Sequence, residues 1–359
     1  MINLFLRVLA FAAGTFTVIY TLNSAIGTLV LPRAVSDSVT RGAFRLLRRL
    51  FDLRLRKART YMDRDYIMAN YAPVSLLMLL PIWLSLVLVG YMALFWSVGG
   101  VNSARELFTL SGSSLFTLGF AMVHTWPQIM LAFSEAAVGL ILVALLIAYL
   151  PTMYSSFSRR EVAVAKLAVR AGSPPSAQEM LLRFHRIGKL DSLSEFWAEW
   201  ETTFAEIEES HTSLPALVFF RSQQPDLSWI TAAGTVMDAA SIMLSAVDVP
   251  NEPAAALCIR AGYLALQRVA RYFGVVFDAS PTFPAHPISI SRQEFDAMCQ
   301  TLAQQGVPLN ADMEQAWRDF GGWRVNYDVA LTRLCTITMA PYALWSSDRS
   351  ALEDIHKSM

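Results

Sequence analysis

Charge is what this sequence has least of. Asp, Glu, Lys and Arg make up 16% of its 359 residues, against about 25% in a soluble globular domain. Residues 8–32, 66–104 and 136–158 hold none of them. Such a chain is excluded from the ordinary soluble class and reads as a membrane protein. Cysteine is nearly as scarce. Cys258, Cys299 and Cys335 all fall in the second half, widely spaced and without a C-x-x-C pair. That excludes a disulfide framework or a zinc ribbon and suits a reducing, cytoplasmic setting for that half. There is no G-x-G-x-x-G after a strand, no P-loop, no H-E-x-x-H and no EF-hand loop. Only His124 and Glu135 are titratable at expected membrane depth near the middle of the chain, too few for a membrane enzyme. No catalytic residue, metal, cofactor or nucleic-acid partner is therefore expected. Strand signals are scarce as well, so the expected fold class is an all-α membrane protein carrying a mainly α-helical cytoplasmic domain.

What is present is a series of long apolar runs. Residues 4–31 exceed the roughly 20 needed to span a bilayer, and also exceed the 7–15 of a signal-peptide core. They are expected to form a retained first spanning helix, within a 1–32 segment. Residues 33–72 follow as a basic amphipathic cytoplasmic segment. It holds Arg33, Arg41, Arg45, Arg48, Arg49, Arg54, Arg56, Lys57, Arg59 and Arg64 against four aspartates. Leu46, Leu47, Leu50, Leu53 and Leu55 recur in it at roughly helical spacing. Basic loops stay in the cytoplasm, which puts the chain's amino end outside. Two readings stay open for this segment. It is an interfacial helix touching anionic lipid through Arg45, Arg48, Arg49 and Arg56, or it is a topology signal alone. Residues 73–98 are the expected second spanning helix and 127–150 the last.

Between them lies the stretch S-G-S-S-L-F-T-L-G-F-A-M-V-H-T-W-P, residues 111–127. It has no charge and is broken by Gly119 and Pro127. Irregular backbone survives at membrane depth only where it is buried in protein or lines a water-filled cavity. The core Thr117-Leu118-Gly119-Phe120, after a short half-polar segment at 106–114, resembles the filter of tetrameric pore-loop potassium channels, T-x-G-Y-G or T-x-G-F-G. The resemblance covers roughly residues 73–161, including an inner-helix-like run after Phe133. It implies a 73–158 pore domain (helix, re-entrant pore loop, helix), with 159–359 as the cytoplasmic domain, in a homotetramer of a prokaryotic inner (plasma) membrane. It also implies backbone carbonyls of Thr117, Leu118, Gly119, Phe120 and Ala121 facing a permeant K⁺ or Na⁺, with Leu118 packed behind the filter and Phe120 wedged into the pore-helix wall.

Three positions depart from the family pattern. Ala121 stands where a second glycine is usual, at a cost of about 1 kcal/mol or more if its φ is positive. Met122 replaces a frequent Asp, and Phe116 a frequent Thr. The implied function is a monovalent-cation channel, K⁺-conducting with reduced selectivity. The alternative is a non-conducting membrane sensor or scaffold on a channel-like fold, which Phe116 and Ala121 favour and the uncharged loop core does not.

Supporting candidates are Ser114 and Phe116 before the loop, and Glu135, Gly139 and Pro151 after it. Glu135 either braces the loop or sits at an interfacial helix N-terminus. Gly139 is either a hinge or a close-packing glycine. Pro151 ends or kinks the last helix. His124 is a titratable group at the outer mouth.

In the second half, Pro174-Pro175-Ser176 is expected as the linker. Leu193, Phe196, Trp197, Trp200, Phe204 and Ile207 form one helical stripe, with core packing expected of Trp197 and Trp200. Helices are expected at 226–247, 253–273, 291–305 (opened by a Ser291/Glu294 capping box) and 312–339.

Overall fold

The computed structural model describes residues 2–31, 37–101, 103–250 and 252–349. Among them are thirteen α-helices, two short 3₁₀ turns and no strand, only an isolated bridge between Val247 and Leu309. The chain forms two compact units. Residues 1–56 and 70–154 make the first; residues 57–69 and 155–359 make the second.

The first unit holds α1 (Ile2–Leu29), α2 (Ser38–Leu55), α4 (Tyr71–Val98), α5 (Ala104–Leu115) and the first part of α6 (Trp126–Ala171). Three stretches, Asn3–Leu29, Tyr61–Val98 and Trp126–Ala171, contain helix long and apolar enough to cross a membrane. α1 packs closely on α4 through facing glycines. A Cβ on Gly14 would lie 2.6 Å from the Gly90 carbonyl oxygen, and one on Gly90 would lie 2.9 Å from Val18. Small residues let membrane helices approach until dispersion and weak polar contacts replace the missing hydrophobic drive. A polar chain fastens the other end of the pair. Trp83 Nε1 donates to Ser24 Oγ (3.0 Å), which donates to Asp37 Oδ2 (2.9 Å). Asp37 in turn caps α2 by accepting from the Val39 and Thr40 amides.

The expected basic segment is divided between the units. α2 is amphipathic on two sides: Ala43, Leu47 and Leu55 are buried, while Leu46, Leu50 and Leu53 are exposed beside the exposed Arg45 and Arg49. Arg48 lies 5.5 Å over the Tyr71 ring and pairs with Asp52. α3 (Tyr61–Ala69), by contrast, belongs to the second unit. Arg221 Nη1 donates to Asp65 Oδ1 (2.5 Å) and Tyr61 Oη (3.1 Å). Its Nη2 donates to the carbonyls of Thr338 (2.8 Å) and Met339 (3.0 Å). A guanidinium is well matched to the unsatisfied carbonyls at a helix C-terminus.

The last expected spanning helix is longer than foreseen. α6 runs without a break from Trp126 through Pro151 to Ala171, 46 residues, roughly 70 Å at 1.5 Å per residue. Pro151 thus does not end it. The 174–176 turn is not a domain linker either, because Val164, Leu167 and Ala171 of α6 already belong to the core of the second unit.

That core is built from α7 (Ala177–Arg186), α8 (Ser194–Ser213), α9 (Trp229–Ser245), α10 (Pro253–Tyr272), α11 (Arg292–Gln304), α12 (Met313–Arg324) and α13 (Asp328–Thr338). The α8 stripe is buried as the spacing requires, with Trp197 and Trp200 in the core. Ser291 and Glu294 form the expected capping box. The expected single helix at 312–339 is two helices, broken at Val325–Tyr327. The break turns Arg324 and Asp328 inward, where both are buried.

Arg160, near the end of α6, is buried and donates to the Leu217 (2.8 Å) and Phe220 (2.7 Å) carbonyls and towards His211 Nε2 (3.2 Å). Burial, and then the adjacent Arg160 charge, hold the His211 imidazole well below its ordinary range. The unfolded chain therefore takes up a proton near pH 6.5 that the folded chain refuses. Stability falls as pH drops below that point, by at most about 1.4 kcal/mol per pH unit from this one group. Unfolding titrations of the wild type and His211→Gln between pH 7.5 and 5 should show a shallower acid loss in the variant. Equal slopes would remove His211 as the cause.

Candidate functional site

The candidate site is the loop that leaves α5 and enters α6. α5 begins after Ser103 and ends at Leu115, with Phe116 as its C-terminal cap. It is held from behind by two residues of α6. Glu135 is fully buried, and its Oε1 accepts from Ser111 Oγ at 2.5 Å. It stands nine residues into α6, so the expected alternative, an interfacial carboxylate at the helix N-terminus, does not apply. Gly139 lies directly beneath the end of α5: a Cβ there would overlap the Leu115 carbonyl oxygen. The close-packing reading of Gly139 therefore has a specific contact behind it.

Past Phe116 the backbone alternates. Thr117 has φ +54° and Gly119 φ +71°, while Leu118, Phe120 and Ala121 have no positive φ. Glycine takes the left-handed region freely. A β-branched threonine there is an outlier of the kind that clusters at functional sites. Ala121 avoids the strain expected for it, since its φ is not positive.

One residue organises the amides of this loop, and it is Ser113, not the expected Ser114. The Ser113 carbonyl accepts from the Leu118 amide (2.8 Å) and lies within reach of the Gly119 amide (3.5 Å). Its Oγ accepts from the amides of Phe120 and Ala121, both at 3.1 Å. The Ser114 hydroxyl instead bonds back to the Leu110 carbonyl (3.0 Å), and its own carbonyl accepts from the Thr117 amide (3.0 Å). So every amide from Thr117 to Ala121 has a partner on α5. Among the described residues, no hydrogen bond reaches the carbonyl oxygens of those five residues. The serines at 111, 113 and 114 look alike in sequence, but only the helix register selects Ser111 and Ser113.

The far end of the loop is fixed by Gln128. Its Oε1 accepts from the His124 amide (3.2 Å), and its Nε2 donates to the Gly99 carbonyl (3.0 Å). His124 itself is exposed. Leu118 and Phe120 do not pack as the resemblance implied. They are 62% and 63% exposed. Phe116, Met122, Trp126, Met130 and Phe133 continue the exposed apolar surface.

Pro151 lies within α6, 30 residues beyond Ala121 in sequence, and is not brought to the loop. Among the described residues no group of three or more His, Cys, Asp or Glu could hold a metal ion. No family model matches the chain, and neither does any curated protein or solved structure.

Proposed function

We propose that the chain is one subunit of an oligomeric, monovalent-cation-conducting channel of a plasma membrane, K⁺ being the main permeant ion. The observation that carries this reading is the division of labour in the 117–121 backbone. Its amides are satisfied by α5, and its carbonyls have no partner among the described residues, in an uncharged loop between two helices apolar enough to span. Unpartnered carbonyls at membrane depth need water or a cation. A ring of such oxygens from several copies replaces the hydration shell of a permeating ion. The exposed Leu118 and Phe120 would give neighbouring copies an apolar surface to cover, the number of copies being four in the pore-loop channels the loop resembles.

In this reading the second unit and the amino end of the chain lie on opposite sides, the second unit being cytoplasmic. α2, with Leu46, Leu50 and Leu53 exposed between Arg45 and Arg49, rests on the anionic inner leaflet.

The test is the reversal potential of purified protein in a planar bilayer under a K⁺-to-Na⁺ gradient. The subunit count is measured on the same sample by native mass spectrometry. Wild type is expected to carry a cation current reversing towards the K⁺ potential. Ser113→Ala strands two amides, each worth about 1–3 kcal/mol, and is expected to lose that discrimination or the current. Silence from a confirmed oligomer across pH, voltage and tension would move the assignment to a non-conducting scaffold.

A further inference from the structure

Ser111 has two acceptors in reach and one proton to give. Its Oγ lies 3.1 Å from the Leu88 carbonyl oxygen of α4 and 2.5 Å from Glu135 Oε1 of α6. A carbonyl oxygen can only accept, and a hydroxyl donates once. With Ser111 donating to Glu135, the Leu88 contact brings two oxygens together with no proton between them. With Ser111 donating to Leu88, the proton in the 2.5 Å contact has to come from Glu135.

The surroundings of Glu135 choose between these. The side chain is fully buried, and its Oε2 has no partner among the described residues. As a carboxylate it would hold a charge out of water on a single hydrogen bond. No cation is at hand to offset that charge. Between residues 66 and 158 the only other Asp, Glu, Lys or Arg are Arg105 and Glu106, both exposed in the first turn of α5. From α4 the titratable neighbour is Tyr91, a phenol whose hydroxyl donates to Ser134 Oγ (2.9 Å). On α1, Arg7 lies beside Gly99, past the end of α4, and His124 in the loop is exposed. A buried carboxyl without a cation takes a proton in preference to carrying its charge. With the proton on Oε1, each donor in the chain Glu135–Ser111–Leu88 has an acceptor. Oε2 is then an uncharged carbonyl oxygen, which costs far less to leave unmet than a charged one.

We propose that Glu135 is kept as the neutral acid, and that its proton is the pin holding α5 between α4 and α6. The pin enters α5 two residues before Ser113, whose carbonyl and hydroxyl hold the amides of Leu118, Phe120 and Ala121. Glu135 is thus a positioning residue for the loop. The inference rests on hydrogen counting among three helices and stands whether or not the loop conducts.

Infrared difference spectra of the full chain in detergent at neutral pH, wild type minus Glu135→Gln, test the protonation. The carbonyl stretch of a protonated carboxylic acid, above the amide I band, is expected in the wild type alone. Carboxylate bands in its place would overturn the proposal. Hydrogen exchange read by mass spectrometry tests the pin. Glutamine can still donate to Ser111, so Glu135→Gln is expected to leave the 118–121 amides as protected as in wild type. Glu135→Ala removes the donor and is expected to speed their exchange about tenfold, the factor one lost hydrogen bond carries. Equal protection in wild type and Glu135→Ala would show that the proton pins nothing. Glu135→Gln as loose as Glu135→Ala would show that a charge, not a proton, had been lost. If neither variant folds, Ser111→Ala serves, and the acid band is expected at higher frequency once its acceptor is gone. A band that is absent, or unmoved by Ser111→Ala, overturns the assignment.

Discussion

Replacing Arg324 with methionine should cost the second unit about 3–5 kcal/mol, the loss expected when one partner of a buried ion cluster is removed. Arg324 is fully buried. Its Nε donates to Asp328 Oδ1 (2.7 Å), Nη1 to Asp238 Oδ1 (2.6 Å), and Nη2 to the Trp345 carbonyl (2.6 Å). Tyr327 Oη donates to Asp238 (2.8 Å), and the Ser289 amide and hydroxyl both donate to Asp328. Burial alone would pull the guanidinium down, but Asp238 and Asp328 beside it more than offset this and hold it above its ordinary value. Without Arg324 the two carboxylates stay buried with no cation. Because a domain is stable by only about 5–15 kcal/mol, this is roughly a fifth or more of the total. Arg324→Lys should rescue little, since an ammonium cannot present the guanidinium's fork to three acceptors. Adding Asp238→Asn to Arg324→Met should recover part of the loss. Urea unfolding of the full chain, followed by tryptophan fluorescence, measures all three. A loss under about 1 kcal/mol in Arg324→Met would show that water already reaches the cluster.

That cluster also marks where sequence reading stopped working. The sequence placed α9, α10 and α11 within a few residues and found the buried stripe of α8, because apolar spacing and the Ser291/Glu294 capping box were not overridden by tertiary structure. It ran α12 and α13 together, because Asp312 to Met339 keeps a helical rhythm throughout. The break exists so that Arg324, Tyr327 and Asp328 can converge on Asp238, which lies 86 residues before Arg324. A visible hint was Asp238 itself, the one charge in α9. Pairing it with Arg324 needed three dimensions. α3 was illegible for the same reason. Its docking rests on Arg221, 156 residues beyond Asp65, and no local pattern announces such a pair.

The loop was legible as a stretch but not as a mechanism. Thr117 and Gly119 stood out because the run Thr117-Leu118-Gly119-Phe120 resembles a pore-loop filter. The positive φ of Thr117 and Gly119 is a property of the backbone that the residue pattern at 117 did not announce, since threonine rarely adopts it. Ser113 was missed because four consecutive polar or small residues, 111–114, look interchangeable in one dimension. α5 places Ser111 towards Glu135 and Ser113 under the loop, while Ser114 spends its hydroxyl on its own helix. Leu118 and Phe120 were assigned packing that the described residues do not supply.

Gly139 separates a packing role from a hinge role most sharply. Alanine in place of a helical glycine ordinarily stabilises a helix, by about 1 kcal/mol. A hinge glycine would show that gain, with altered opening. Here the added methyl would overlap the Leu115 carbonyl oxygen and crowd the Leu115 side chain. Backbone cannot step aside as a flexible side chain can, so α5 must move. Overpacking of this kind costs about 1–3 kcal/mol. The displacement starts two residues before Thr117, so the Ser113 contacts to Phe120 and Ala121 should loosen with it. Gly139→Ala is therefore expected to lower the melting temperature and to reduce or abolish the proposed cation current. Gly112→Ala is the matched control. It lies in α5 itself, where a Cβ meets nothing within 4 Å, and should be neutral or slightly stabilising with current intact. If both variants melt alike and conduct alike, α6 does not set the position of the loop. If Gly139→Ala is destabilised yet conducts as wild type does, the 117–121 carbonyls are not where the ion passes.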